Sequence, residues 1–107
     1  MPLKTLTETE ELDDLMSTSS GVLFVLYFHA SWCGPCKQIA PKFDALSEEF
    51  PAIFFISINV DKSEELSDEY KISSTPTFIF VKSSERIDSY LGTDEKVLRD
   101  LILSHSA

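Results

Sequence analysis

The sequence predicts an α/β fold, a central mixed β-sheet flanked by helices in the order β-α-β-α-β-α-β-β-α. Three observations predict it. Short, largely apolar runs at 22–28, 53–58 and 77–81 suit strands buried on both faces. Segments of helical periodicity separate these runs, and crossover helices imply parallel pairing up to the third of them. The link at 82–85 is too short for a crossover and implies a hairpin, which makes the sheet mixed. A length of 107 residues has room for a single hydrophobic core, so residues 1–107 read as one domain.

Each element has its own local justification. Leu3 to Leu6 is a candidate first strand. Thr7 reads as an N-cap, with Glu10 three residues on completing a capping box. Leu12, Leu15 and Met16 fall on one face of the helix that follows, and the Ser-Thr-Ser-Ser-Gly run at 17–21 ends it. Val22 to Phe28 is seven consecutive apolar residues. A helix is expected from Pro35 to about Phe50, with Ile39, Phe43, Leu46 and Phe50 at helical spacing. Pro35 suits the first turn, where its missing N–H is not needed, whereas Pro41 lies inside the helix and should kink it. Ile53 to Ile58 is the next strand, and Ser63 stands where it would cap a short helix carrying Leu66 and Tyr70. Thr77 to Val81 is the third apolar strand. Arg86 to Leu91 is more polar, as an edge strand would be, and Gly92 breaks it. Thr93 is expected to cap a final helix with Val97, Leu98, Leu101 and Ile102 on its inner face.

Composition narrows the possible partners. Eighteen acidic against nine basic side chains give a net charge of -9, which disfavours nucleic acid and anionic membrane as partners. The acidic surface favours solubility and steering toward basic partners. No apolar run approaches the ~20 residues of a transmembrane helix. The start, Met1-Pro2-Leu3-Lys4-Thr5, lacks the charged, apolar and cleavage regions of a signal peptide, so a cytoplasmic location is expected.

The chemistry is concentrated in Trp32-Cys33-Gly34-Pro35-Cys36-Lys37, which holds both cysteines of the chain. Two thiols at this spacing, after a buried strand and at the start of a helix, suit reversible disulfide exchange. The sulfurs can join in a small ring, and the helix start favours a thiolate on the first. A structural crosslink makes little sense here, since a loop of about four residues removes very little chain entropy. A zinc site would be half complete, needing two further ligands such as His29 and His105 or a second chain, and no metal is expected.

The motif and the element order together resemble the thioredoxin family over nearly the whole chain. Ala30-Ser31 precedes the cysteines as in that family, and Pro41 sits where the family kinks its active-site helix. Asn59-Val60-Asp61 ends a strand as the family's does. Thr75-Pro76-Thr77 matches the family's cis-proline segment, and Gly92 matches the glycine after its last strand. The resemblance implies a thioredoxin fold with Cys33 as nucleophile and Cys36 as resolving thiol. Gly34 and Pro35 would shape the turn, and Trp32 and Pro76 would flank the sulfurs. Trp32 would offer an apolar face to substrate or simply pack. A cis bond at Thr75–Pro76 would free the Thr75 backbone to pair with an extended substrate. Protein disulfides are the implied substrates, and NADPH-dependent thioredoxin reductase is the implied electron donor. Electron transport in cell redox homeostasis follows, with no bound cofactor. With no third cysteine a covalent dimer would have to use the active-site thiols, and a monomer is expected.

Two positions depart from the family. Its buried Asp, six residues before the first cysteine, is Tyr27 here, and the Lys that accompanies it is Ser57. Both members of the pair are absent together, which avoids a lone buried charge. The Tyr27 phenol, with a reference pKa near about 10, is a poor base at neutral pH. Either resolution by Cys36 is slower or uses water or His29 as the relay, or Tyr27 is plain core packing. His29 is either a cation that lowers the Cys33 pKa or an ordinary strand-end residue, and Lys37 either adds positive potential or is simply solvated. The segment Val25-Leu26-Tyr27-Phe28-His29 is also similar to the thioredoxin-like domain that opens multidomain monothiol glutaredoxins. A targeting or binding domain in iron homeostasis is therefore the alternative, and the intact cysteine pair opposes it.

Overall fold

The computed structural model describes residues 4–6 and 8–106. Its elements are β1 (Lys4–Thr5), α1 (Thr9–Thr18), β2 (Leu23–His29), α2 (Gly34–Glu49), β3 (Phe54–Asn59), α3 (Glu64–Glu69), β4 (Thr77–Lys82), β5 (Glu85–Leu91) and α4 (Glu95–His105). The strands form one mixed sheet in the order β1-β3-β2-β4-β5. β3 is parallel to β1 and β2, and β5 is an antiparallel edge strand.

The direction of β4 corrects the sequence expectation, because it runs antiparallel to β2. The six-residue α3 rises only about 9 Å. It is too short to retrace β3, which at about 3.3 Å per residue spans roughly 20 Å. The chain therefore turns at the end where β3 finishes and starts back. Phe28 accordingly pairs with both Ile58 near the end of β3 and Thr77 at the start of β4. That end of the sheet carries the cysteines.

Alternation along β2 divides the core into two layers. Leu23, Val25 and Tyr27 face one side, packed with Phe43 of α2, Leu98 and Ile102 of α4, and Phe55, Phe78 and Phe80 of the neighbouring strands. Phe24, Leu26 and Phe28 face the other, with Leu12 and Met16 of α1, Leu66 of α3 and Ile56 and Ile79 of the sheet. Each fully buried side chain of this size contributes roughly 1.5–3 kcal/mol by leaving water. The uninterrupted apolar run of β2 thus reflects helices on both faces.

Several helix ends differ from expectation. Thr7 and Leu3 lie outside the described residues; α1 starts at Thr9 with Glu8 at the N-cap, and no side chain caps it. Ser63 precedes α3, but its hydroxyl is buried and makes no capping bond. Asp94, one residue beyond Thr93, caps α4 through its carboxylate and the Lys96 N–H at 2.9 Å. The Asp94 N–H donates to the Tyr90 hydroxyl at 3.0 Å, which carries the chain one residue further before the helix begins. On α4 Leu98 and Ile102 are buried and Leu101 partly so, whereas Val97 is 38% exposed at the edge of that face. The β4–β5 link is a two-residue hairpin loop with Ser83 and Ser84 at φ 52° and 64°, the signature of a type I′ turn. No helix among the described residues is long and apolar enough to cross a membrane.

Candidate active site

Cys33 and Cys36 lie where β2 passes the chain to α2. The Cys33 N–H donates to the Ala30 carbonyl at 3.2 Å, closing a tight turn. Cys33 is then the N-cap of α2, with extended backbone, and Pro35 occupies its first turn, where a missing N–H costs nothing. Pro41 lies inside the same helix. The two cysteines form a disulfide with Cα atoms 5.4 Å apart. The Cys36 N–H points at Cys33 Sγ at 3.2 Å.

The turn does not leave Cys33 open to solvent. Both cysteines are 4% exposed and belong to the apolar layer of Tyr27, Ile39 and Phe43, while Gly34 and Pro35 are exposed. Trp32 is 70% exposed, so it is not a packing residue. It walls a groove of about 360 Å³ together with Cys33, Gly34, Pro35 and the segment Ser73-Ser74-Thr75. A smaller hollow of about 150 Å³ continues past Trp32 toward Val60, Ser67 and Ile72.

The Thr75–Pro76 bond is cis. Thr75 lines the groove and its hydroxyl is buried without a hydrogen-bond partner, and Pro76 is buried. Ser73 and Ser74 were not singled out from sequence; their place directly before the proline segment was the available signal. Lys37 is exposed on α2. Gly92 follows Leu91, which pairs with Thr77 at the cysteine end of the sheet; a Cβ at Gly92 would meet the Tyr90 hydroxyl at 2.6 Å, and that hydroxyl accepts the Asp94 N–H.

Beneath the disulfide lie the two departures from the family. Tyr27 is 3% exposed, stacks on Phe78 with ring centroids 5.0 Å apart, and donates its hydroxyl to the Cys36 carbonyl at 2.9 Å. Burial pushes its phenol up to about 12, so it is no base at neutral pH. Ser57, paired with Tyr27 in the sheet, hydrogen-bonds His29 Nε2 at 2.8 Å. Burial lowers the His29 pKa, which favours the neutral ring over the imidazolium suggested from sequence. His105 sits at the opposite end of the sheet, bonded to Asp88, where it cannot join His29 and the cysteines around a metal. Among the described residues no group of three or more His, Cys, Asp or Glu side chains is arranged to hold a metal ion. A larger cavity of about 470 Å³ at that far end, lined by Val22, Phe50, Pro51 and Lys82 among others, touches neither cysteine.

A mixed sheet between helices, with a Cys-Gly-Pro-Cys disulfide closing the N-terminus of α2, defines a thiol–disulfide oxidoreductase domain. The thioredoxin family profile matches residues 3–104, and the chain belongs to the thioredoxin family. It is 39% identical over 93 residues to a thioredoxin of Geodia cydonium, covering 86% of this chain and 88% of that protein. It is 36% identical over 106 residues to a peptide-N(4)-(N-acetyl-beta-glucosaminyl)asparagine amidase of Caenorhabditis briggsae, covering 98% of this chain but spanning only 18% of the amidase. The X-ray structure of Fasciola hepatica thioredoxin superposes with a TM-score of 0.92 at 38% identity, over 95% of this chain and 98% of that one.

Proposed function

We propose that this chain reduces protein disulfides, with Cys33 as attacking thiol and Cys36 as resolving thiol. The observation that carries the reading is the Cys36 N–H aimed at Cys33 Sγ at the N-terminus of α2. Orphan amides and the helix dipole there favour a thiolate on Cys33 once the pair is reduced. The Cys33 thiolate attacks one sulfur of a substrate disulfide, forming a mixed disulfide and expelling the other substrate sulfur as a thiolate. Cys36 loses its proton and attacks Cys33 Sγ. The second substrate thiolate leaves, and the Cys33–Cys36 bond forms. Two electrons pass to the substrate, and the two expelled thiolates take up protons from the medium.

The groove along Trp32 supplies the docking site, with the Gly34-Pro35 turn as its floor and Thr75 at its side. An extended substrate segment pairs with the Thr75 backbone. Pro76 keeps a non-ligating side chain beside the dithiol, and Lys37 adds positive charge at the exposed rim. NADPH-dependent thioredoxin reductase returns the two electrons. The chain works as a monomer in the cytoplasm, where disulfides are kept reduced, and carries electrons in cell redox homeostasis. Nothing in the site favours the targeting-domain alternative, which has no use for a closed dithiol ring. A second reading rests on the amidase similarity, in which this domain is a redox module within a longer amidase chain; the full-length transcript separates the two.

Dithiothreitol-driven reduction of insulin is the direct test. The wild type accelerates it and Cys33→Ser does not. A folded wild type without effect would overturn the proposal.

A further inference from the structure

We propose that Tyr27 is a positioning residue for the dithiol: its hydroxyl ties the Cys36 carbonyl to β2, holds the first turn of α2 in place, and exchanges no proton with either thiol. The inference rests on the roles proposed above for Cys33 and Cys36. Its starting point is a pair of hydrogen bonds that flank one residue. Cys36 donates its N–H to Cys33 Sγ at 3.2 Å and accepts from the Tyr27 hydroxyl on its carbonyl at 2.9 Å. The resolving cysteine is thereby fixed on both sides of its Cα.

The tie falls where α2 is weakened. Pro41 lacks the N–H that would bond the Lys37 carbonyl, so the ladder is broken one residue beyond Cys36. The anchoring end is rigid: the Tyr27 ring is wedged against Phe78, Phe43 and His29, with centroids 4.9–5.0 Å away. A carbonyl oxygen cannot take the phenolic proton at neutral pH, so the bond holds geometry and transfers nothing. The raised phenol pKa agrees with that role. Where the family has a buried carboxylate, this chain has a strut. The proton lost by Cys36 then goes to water.

Mixing reduced protein with excess aromatic disulfide reads the two steps separately, since attack by Cys33 releases one coloured thiolate and resolution by Cys36 releases the second. In Tyr27→Phe the ring packing is kept and the tie is lost. The second release is expected to slow by roughly three- to tenfold, the factor carried by about one hydrogen bond. The first release stays within about twofold, because thiolate fraction and intrinsic nucleophilicity change in opposite directions with pKa. The pH midpoint of the second release stays in place. Site-specific fluorotyrosine at position 27 keeps the hydroxyl but acidifies it, and is expected to resolve at the wild-type rate. An unchanged second release in Tyr27→Phe overturns the proposal, as does a shifted pH midpoint or a rate that follows the acidity of the fluorinated phenol. Should Tyr27→Phe fail to fold, the fluorotyrosine measurement still decides. Absence of both releases in the wild type is a different failure, that of the oxidoreductase reading itself.

Discussion

At the strand end nearest the cysteines, His29 bonds Ser57 and packs its ring against Tyr27, and burial lowers its pKa from the usual 6.5. The folded state therefore holds the neutral imidazole, and the unfolded chain takes up a proton first as pH falls. The stability this provides is present above pH 6.5 and is lost as pH drops from there through the lowered folded value. An NMR titration should place the His29 midpoint below 6.5. His29→Gln should leave the ionisation of the Cys33 thiol where it is in the wild type, and a raised thiol pKa in that variant would restore the electrostatic role. The cysteine pair was legible in the sequence because its spacing alone dictates a small ring. The strut from Tyr27 to the Cys36 carbonyl was not legible, because it depends on how far a strand side chain reaches into a facing helix.

Among the elements, the β4–β5 hairpin carries an avoidable cost. Ser83 and Ser84 both adopt the left-handed conformation, which a Cβ disfavours. Ser83 earns its position by accepting the Gly21 N–H at 3.0 Å, whereas Ser84 is exposed. Ser84→Gly should therefore stabilise the protein by about 0.5–1 kcal/mol, seen as a higher urea midpoint with an unchanged slope. Strand existence was legible because short, largely apolar runs bounded by polar turns have few other uses in a chain this short. The direction of β4 was hidden: a segment of helical pattern says nothing of whether the helix is long enough to return the chain, and α3 is not. The shift of the α4 cap from Thr93 to Asp94 was equally hidden. Both residues can cap, and the choice is made by a hydrogen bond to Tyr90 on the preceding strand.

Across the whole molecule, three kinds of buried or bonded titratable group define a window of greatest stability. The His105 hydrogen bond, followed by the Ser89 N–H, holds the Asp88 carboxyl below its usual 3.8. That contribution is present above pH 3.8 and is lost as pH falls through the lower folded value. His29 begins to subtract earlier, below 6.5. On the alkaline side burial raises Tyr27 and Tyr70 from 10 to about 12. Their contribution is fully present below pH 10 and is lost as pH rises from 10 to about 12, where the unfolded chain releases the phenolic protons more readily. Self-repulsion works in the same direction there, since a chain already at -9 becomes more negative as pH rises. Urea midpoints measured against pH should thus form a plateau between about 6.5 and 10, with a gentle acid limb and a steeper alkaline one. Added salt should lift the alkaline limb by screening the net charge, while leaving the phenol contribution, which arises from burial, in place. Tyr27→Phe removes one of the two phenols and should flatten the alkaline limb even at high salt. If the limb vanished in salt for wild type and variant alike, net charge alone would be its cause.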